Sequence, residues 1–187
     1  MLLLFLLAFP GMTCSGQTDT DNSVKAHRMG VIEVRAPAGA SVRIEQTRHE
    51  FWFGCAITNN VANGRMSESD LKNFRENFLA CFNSAVTENA VKWGTMEPVR
   101  GKVDYSVIDG ILEWTEENDI PLRAHNLFWG IPQFVQPWVK ELDDAELRKT
   151  IQERAETVTA RYRGRFAEYD LNNEMIHGNY YEERLGS

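Results

Sequence analysis

An α/β fold with a parallel sheet is predicted from residue 51 onward by three features of the 187-residue sequence. Apolar runs of strand length alternate with longer segments of helical period. Capping residues stand where helical segments begin. Functional residue types gather after the predicted strands rather than before them. Four strands in alternation with three helices favour right-handed crossovers between parallel neighbours. A short β-hairpin extension is expected in front of this domain.

Composition narrows the function classes. Hydrophobic residues make up 43% and charged residues 25%, as in a globular protein. The net charge of −7 and pI near 5.2 argue against a nucleic-acid partner and favour a neutral ligand. The five Trp can stack on sugar rings as well as fill a core, and the core is the expected place for most of them.

In chain order, residues 1–16 read as a secretory signal peptide. Leu2 to Phe9 is almost wholly apolar, Pro10 and Gly11 break the run, and small residues follow. The run is too short to span a bilayer. It lacks a basic start, and Met12 and Thr13 fit a lipidation site at Cys14 poorly. A secreted protein without a membrane span is expected. Residues 17–50 read as a linker and hairpin extension. Gln17 to Ala26 is polar and reads as a flexible tail. Val31–Arg35 and Ser41–Glu45 alternate apolar and polar residues around Pro37-Ala-Gly39.

Residues 51–187 carry the main domain. Phe51–Ile57 is nearly continuous apolar, as for a strand buried on both faces. Ser67 with Asp70 opens a helix whose Leu71, Phe74 and Phe78 share a face. The second strand is expected over Phe82–Thr87, and the second helix over Tyr105–Glu117, stopped by Asn118 and Pro121. Ile120–Phe128 is the third strand. Asp143 and Glu146 start a third helix with the stripe Leu147, Ile151, Val158 and Tyr162, closed by Gly164. Phe166–Leu171 is the fourth strand. Cys55 and Cys81 are offset by roughly 13 Å along neighbouring strands, too far for a disulfide, and are expected as buried thiols.

Three strand ends hold the candidate chemistry. After the second strand, Glu88, Asn89 and Lys92 would share one arc of a helical turn and could bind adjacent hydroxyls; a solvated Glu–Lys pair is the blander alternative. On the third strand, His125 and Trp129 fall on one face, able to hold a hydroxyl and shape a ring-sized pocket, or else to be a core His beside a core Trp. The fourth strand runs out into Asn172, Asn173 and Glu174. An amide beside a carboxyl suits sugar chemistry, where one holds a hydroxyl and the other moves a proton. All three ends together favour the sugar reading. His27, His49, His125 and His177 show no metal-ligand spacing, and no phosphate loop or Gly-x-Ser-x-Gly elbow is present. No metal or cofactor is expected.

Phe53-Gly-Cys-Ala-Ile57, Thr87-Glu-Asn-Ala-Val-Lys-Trp93, Arg123-Ala-His-Asn-Leu-Phe-Trp129 and Asp170-Leu-Asn-Asn-Glu174 resemble, in order, four motifs of glycoside hydrolase family 10, the endo-1,4-β-xylanases. The resemblance runs from about His49 to Gly186, and Asn172–Gly178 is closest to the plant-like branch. It implies a TIM (β/α)8 barrel and a xylan or xylo-oligosaccharide substrate. By resemblance Glu174 is the general acid/base, and Asn173 and His125 contact the sugar being cleaved. Glu88, Asn89 and Lys92 bind the next xylose on the non-reducing side, and Trp129 lines the cleft. A retaining mechanism needs two carboxyl groups, with the pKa of the acid raised by burial and by its partner. Gly130 and the run Ile131–Pro137 depart from the family pattern. The family nucleophile lies on a later strand, Glu182 and Glu183 are not candidates for it, and four strands cannot close an eight-stranded barrel. The expectation is therefore an incomplete barrel, the N-terminal half, exposing apolar surface and inactive alone. A carbohydrate-binding protein that lost the nucleophile, or a related β-glucan hydrolase, are the alternatives.

Overall fold

The computed structural model describes residues 18–47 and 50–186. The leader, Cys14 and His49 lie outside the described residues. Two compact units divide the chain after Thr47.

In the first unit, Thr18–Arg28 forms helix α1 where a flexible tail is predicted. Lys25, His27 and Arg28 close its last turn, where cations complement the helix dipole. The predicted hairpin is not formed. Only its turn is present, with the Ala40 amide donating to the Pro37 carbonyl at 3.1 Å, and no strand is assigned among residues 29–47. Val31, Ile32, Val34, Val42 and Ile44 are all exposed. An isolated two-stranded hairpin with no layer over its apolar face is marginal in water, which accounts for the correction.

The second unit holds a parallel sheet in the order β1 (Gly54–Ile57), β2 (Ser84–Thr87), β3 (Leu122–Ala124), β5 (Glu168–Tyr169). A smaller parallel pair joins β4 (Phe128–Trp129) to β6 (Asn172–Asn173). Parallel strands linked by helices are the pattern of a partial α/β barrel, as predicted. The third predicted strand is divided into β3 and β4, and beyond the fourth, which is observed only as β5, the polar Asn172–Asn173 forms the further strand β6 that pairs with β4 at the rim.

Helix α2 (Glu68–Cys81) is capped by Ser67, whose Oγ accepts from the Asp70 amide at 3.1 Å. After the short α3 (Trp93–Met96) comes α4 (Ser106–Glu117). Its Trp114 meets Phe78 of α2 edge-on at 5.5 Å. The short α5 (Pro137–Lys140) leads into α6 (Asp144–Arg161), capped by Asp143 accepting from the Glu146 amide at 2.8 Å. α7 (Tyr180–Leu185) ends the described chain. The core lies between sheet and helices, with Ile57, Leu122 and Ala124 against Ile108, Ile111, Leu112, Leu147, Val158 and Tyr162.

Two burial expectations are corrected. The first strand is not buried on both faces: in β1 only Ile57 is buried, since β1 has a sheet neighbour on one side alone. Cys55 and Cys81 are free, as predicted, but exposed rather than buried.

Candidate active site

The carboxyl ends of β2, β3, β4 and β6 bring the predicted residues to one rim. Buried Thr87, the last residue of β2, ties itself to the start of the next loop. Its hydroxyl donates to the His125 carbonyl at 3.0 Å and accepts from the His125 amide at 2.9 Å. His125 Nδ1 then lies 2.8 Å from Asp170 Oδ2. A carboxylate there holds the ring hydrogen on Nδ1 and leaves Nε2 as an acceptor, the form that can receive a hydroxyl proton. Arg123 Nε donates to the other oxygen of Asp170 at 2.8 Å. Burial opposes ionisation of Asp170, but the hydrogen bonds from Arg123 and His125 outweigh it and hold the carboxyl below its ordinary value.

A second string of contacts contains the candidate acid. Lys92 Nζ donates to Asn89 Oδ1 at 2.8 Å and sits 4.4 Å over the Trp129 ring. The Trp129 indole N–H donates to Glu174 Oε2 at 2.6 Å. Phe134 stacks on the same indole, 4.2 Å between centroids and 11° from parallel. Glu174 follows β6 directly, in the left-handed region at φ 55°. That conformation is uncommon for a non-glycine residue and is found at functional sites more often than elsewhere. The chain then turns, with the Gly178 amide donating to the Glu174 carbonyl at 2.7 Å. The turn is pressed against the loop after β4: a Cβ on Gly130 would lie 2.6 Å from the Gly178 carbonyl oxygen. This close approach explains why glycine stands at 130, where the family resemblance leads one to expect a larger side chain.

Of the predicted residues, Asn89, Lys92, Trp129 and Glu174 are joined by direct contacts. His125 is linked instead to Asp170. Asn173 is half-buried and pairs in register with Trp129. Glu88 is exposed at the end of β2. Three expectations are corrected. The helical turn begins only at Trp93, so Lys92 caps it rather than sharing an arc within it. His125 and Trp129 do not share a strand face, because the strand divides between them. Glu174, expected to be buried, is exposed.

Sequence reasoning gave no role to Thr87, Asp170, Phe134 or Arg154. Arg154 fills the gap in the α6 stripe between Ile151 and Val158. It is buried, its guanidinium donating to the carbonyls of Leu127 at 3.1 Å and Val91 at 2.8 Å, which braces both site loops from beneath. Burial pushes its pKa down to about 10. The alternation of Arg123 and His125 around Ala124 was the signal available for Asp170: two cationic or protonatable groups on one strand face call for a carboxylate on the neighbouring strand. A concavity bounded by Trp52, Glu116, Ile120 and Pro121 opens at the opposite, amino-terminal ends of the strands and includes none of these residues. Among the described residues no three His, Cys, Asp or Glu side chains are grouped to hold a metal.

A rim of parallel strand ends that offers a carboxyl, an imidazole, amides and an indole is the place where an α/β barrel carries its chemistry. The chain belongs to glycosyl hydrolase family 10, whose profile matches residues 44–185. It is 38% identical over 149 residues to endo-1,4-beta-xylanase 1 of Arabidopsis thaliana, a match covering 80% of this chain and 15% of that protein. It is 37% identical over 147 residues to anti-sigma-I factor RsgI6 of Acetivibrio thermocellus, covering 79% of this chain and 18% of that one. Among solved structures, a GH10 endoxylanase retrieved from a sugarcane soil metagenome superposes with a TM-score of 0.65 at 22% identity, over 74% of this chain and 42% of that one. The chain thus spans less than half the length of each.

Proposed function

We propose that residues 50–186 form the acid/base half of a retaining endo-1,4-β-xylanase site. The observation that carries the reading is the contact string from Glu174 through Trp129 to Lys92 and Asn89, a proton-moving carboxyl beside hydroxyl-binding groups at one rim. Glu174 protonates the departing glycosidic oxygen and then, as carboxylate, takes a proton from the attacking water. His125 Nε2 accepts from a hydroxyl of the ring being cleaved, and Asn173 holds its 2-hydroxyl. Lys92, Asn89 and Glu88 bind the next ring. The nucleophilic carboxylate is taken to come from a later barrel strand outside these residues. The same reading treats residues 1–16 as a secretory leader.

The decisive test uses a protein in which these residues are part of a complete barrel. Glu174→Gln is expected to cut turnover of xylan by about 10²–10⁴-fold, the usual worth of a positioned acid, and to leave xylo-oligosaccharide binding intact. Unchanged turnover would remove the assignment, and equal activity on cellulose would displace xylan as the substrate.

A second reading is a non-catalytic carbohydrate-binding module. The exposure of Glu174, the candidate acid, favours it. It requires that xylo-oligosaccharides bind while a complete barrel carrying Glu174 shows no turnover.

A further inference from the structure

The indole of Trp129 has the size and the place to be the aromatic wall of a sugar cleft, yet a stacked neighbour already occupies one of its faces. Phe134 lies on it at 4.2 Å and 11° from parallel. No pyranose can stack on that face while Phe134 holds it. Phe134 itself is 52% exposed. Its ring spends one side on Trp129 and keeps the other for solvent.

The segment that presents Phe134 is firmly held. Pro132 opens the 3-10 turn Pro132–Phe134, fixing its first φ. The Phe134 amide donates to the Ile131 carbonyl at 2.9 Å. The Phe134 carbonyl oxygen packs in ordinary contact against α3, 3.7 Å from the Cβ position of Gly94. Just beyond, the Trp138 indole donates to the Glu97 carbonyl at 3.1 Å. An aromatic ring fixed in this way loses little entropy on meeting a ligand.

We infer that the exposed face of Phe134 is a sugar-stacking platform, extending the site by one ring from the Glu174–Trp129 pair. This rests on the proposed polysaccharide-binding function and adds a residue to it. The ligand is one ring of a β-1,4-linked pentopyranose chain. Such a ring has equatorial hydroxyls, axial C–H bonds on both faces and no exocyclic hydroxymethyl group, so it lies flat on an aromatic face. Had Phe134 served only to cover Trp129, any apolar side chain would do, and removing it would open the indole to sugar.

The test is calorimetric titration of a complete barrel that contains these residues, carrying Glu174→Gln to prevent turnover, with xylotetraose, beside the added variants Phe134→Ala, Phe134→Leu and Phe134→Tyr, each checked by thermal melting. The expected result is affinity lower by about three- to tenfold for Ala and Leu, of the order of one aromatic contact, and retained for Tyr, with the unligated melting midpoint little changed. Affinity equal to the parent in the Leu variant, or higher in the Ala variant, overturns the inference. A folded parent barrel that binds no xylotetraose overturns the carbohydrate-binding reading itself, and the platform with it.

Discussion

Asp170 shows how much a single side chain outside the predicted set governs. It orients His125 and receives Arg123, and those hydrogen bonds lower its pKa in the folded chain against the opposing effect of burial. A carboxyl with a lower folded than unfolded pKa stabilises the fold above its unfolded value near 3.8, and this contribution is lost as pH falls through the folded value. Urea midpoints measured from pH 6 down to pH 2.5 should therefore fall less steeply for Asp170→Asn than for the parent. The same variant is expected to weaken sugar binding at neutral pH, because an amide in place of the carboxylate no longer selects the Nδ1–H form of His125. Glu174 could be picked out from residue type and position. Asp170 had only the indirect signal of Arg123 alternating with His125, since these partners are 47 and 45 residues away and only the pairing of β3 with β5 brings them to it.

Secondary-structure elements were legible where a local rule was enough. Ser67 and Asp143 cap α2 and α6 as their spacing predicts, since capping joins groups three residues apart. The rim strands β4 and β6 were not legible as a separate pair, because they are defined by which neighbour each meets. The rim pair β4–β6 depends in turn on the backbone contact between Gly130 and Gly178. Gly130→Ala should cost about 1–3 kcal/mol in chemical denaturation, the range for inserting a methyl into a packed contact. It should also speed amide exchange over residues 172–178 while leaving α2 protected. Unchanged exchange there would mean that the loops are not held by this contact.

Over the domain as a whole, the exposed apolar side chains are the main physical feature. Phe51, Trp52, Phe53, Leu171, Met175 and Ile176 are exposed, Ile176 at 93%. Exposed apolar side chains beside both edge strands of a sheet favour association. A polypeptide of these 187 residues should bind the dye ANS without denaturant and elute above its 21.4 kDa mass. Phe53→Ser with Ile176→Ser should reduce both effects. A dye-silent monomer would show that this surface is covered in solution.

Periodicity, capping and turn chemistry act over a few residues, so the alternation of strands and helices could be read along the chain, and four motifs in order carried the family. Which side chains meet is a different matter. The grip of Asp170 on His125, the Arg154 brace, the Phe134–Trp129 stack and the exposure of Glu174 all join or separate groups far apart in sequence. They depend on strand register and helix packing, which follow from burial of the domain as a unit rather than from any one segment.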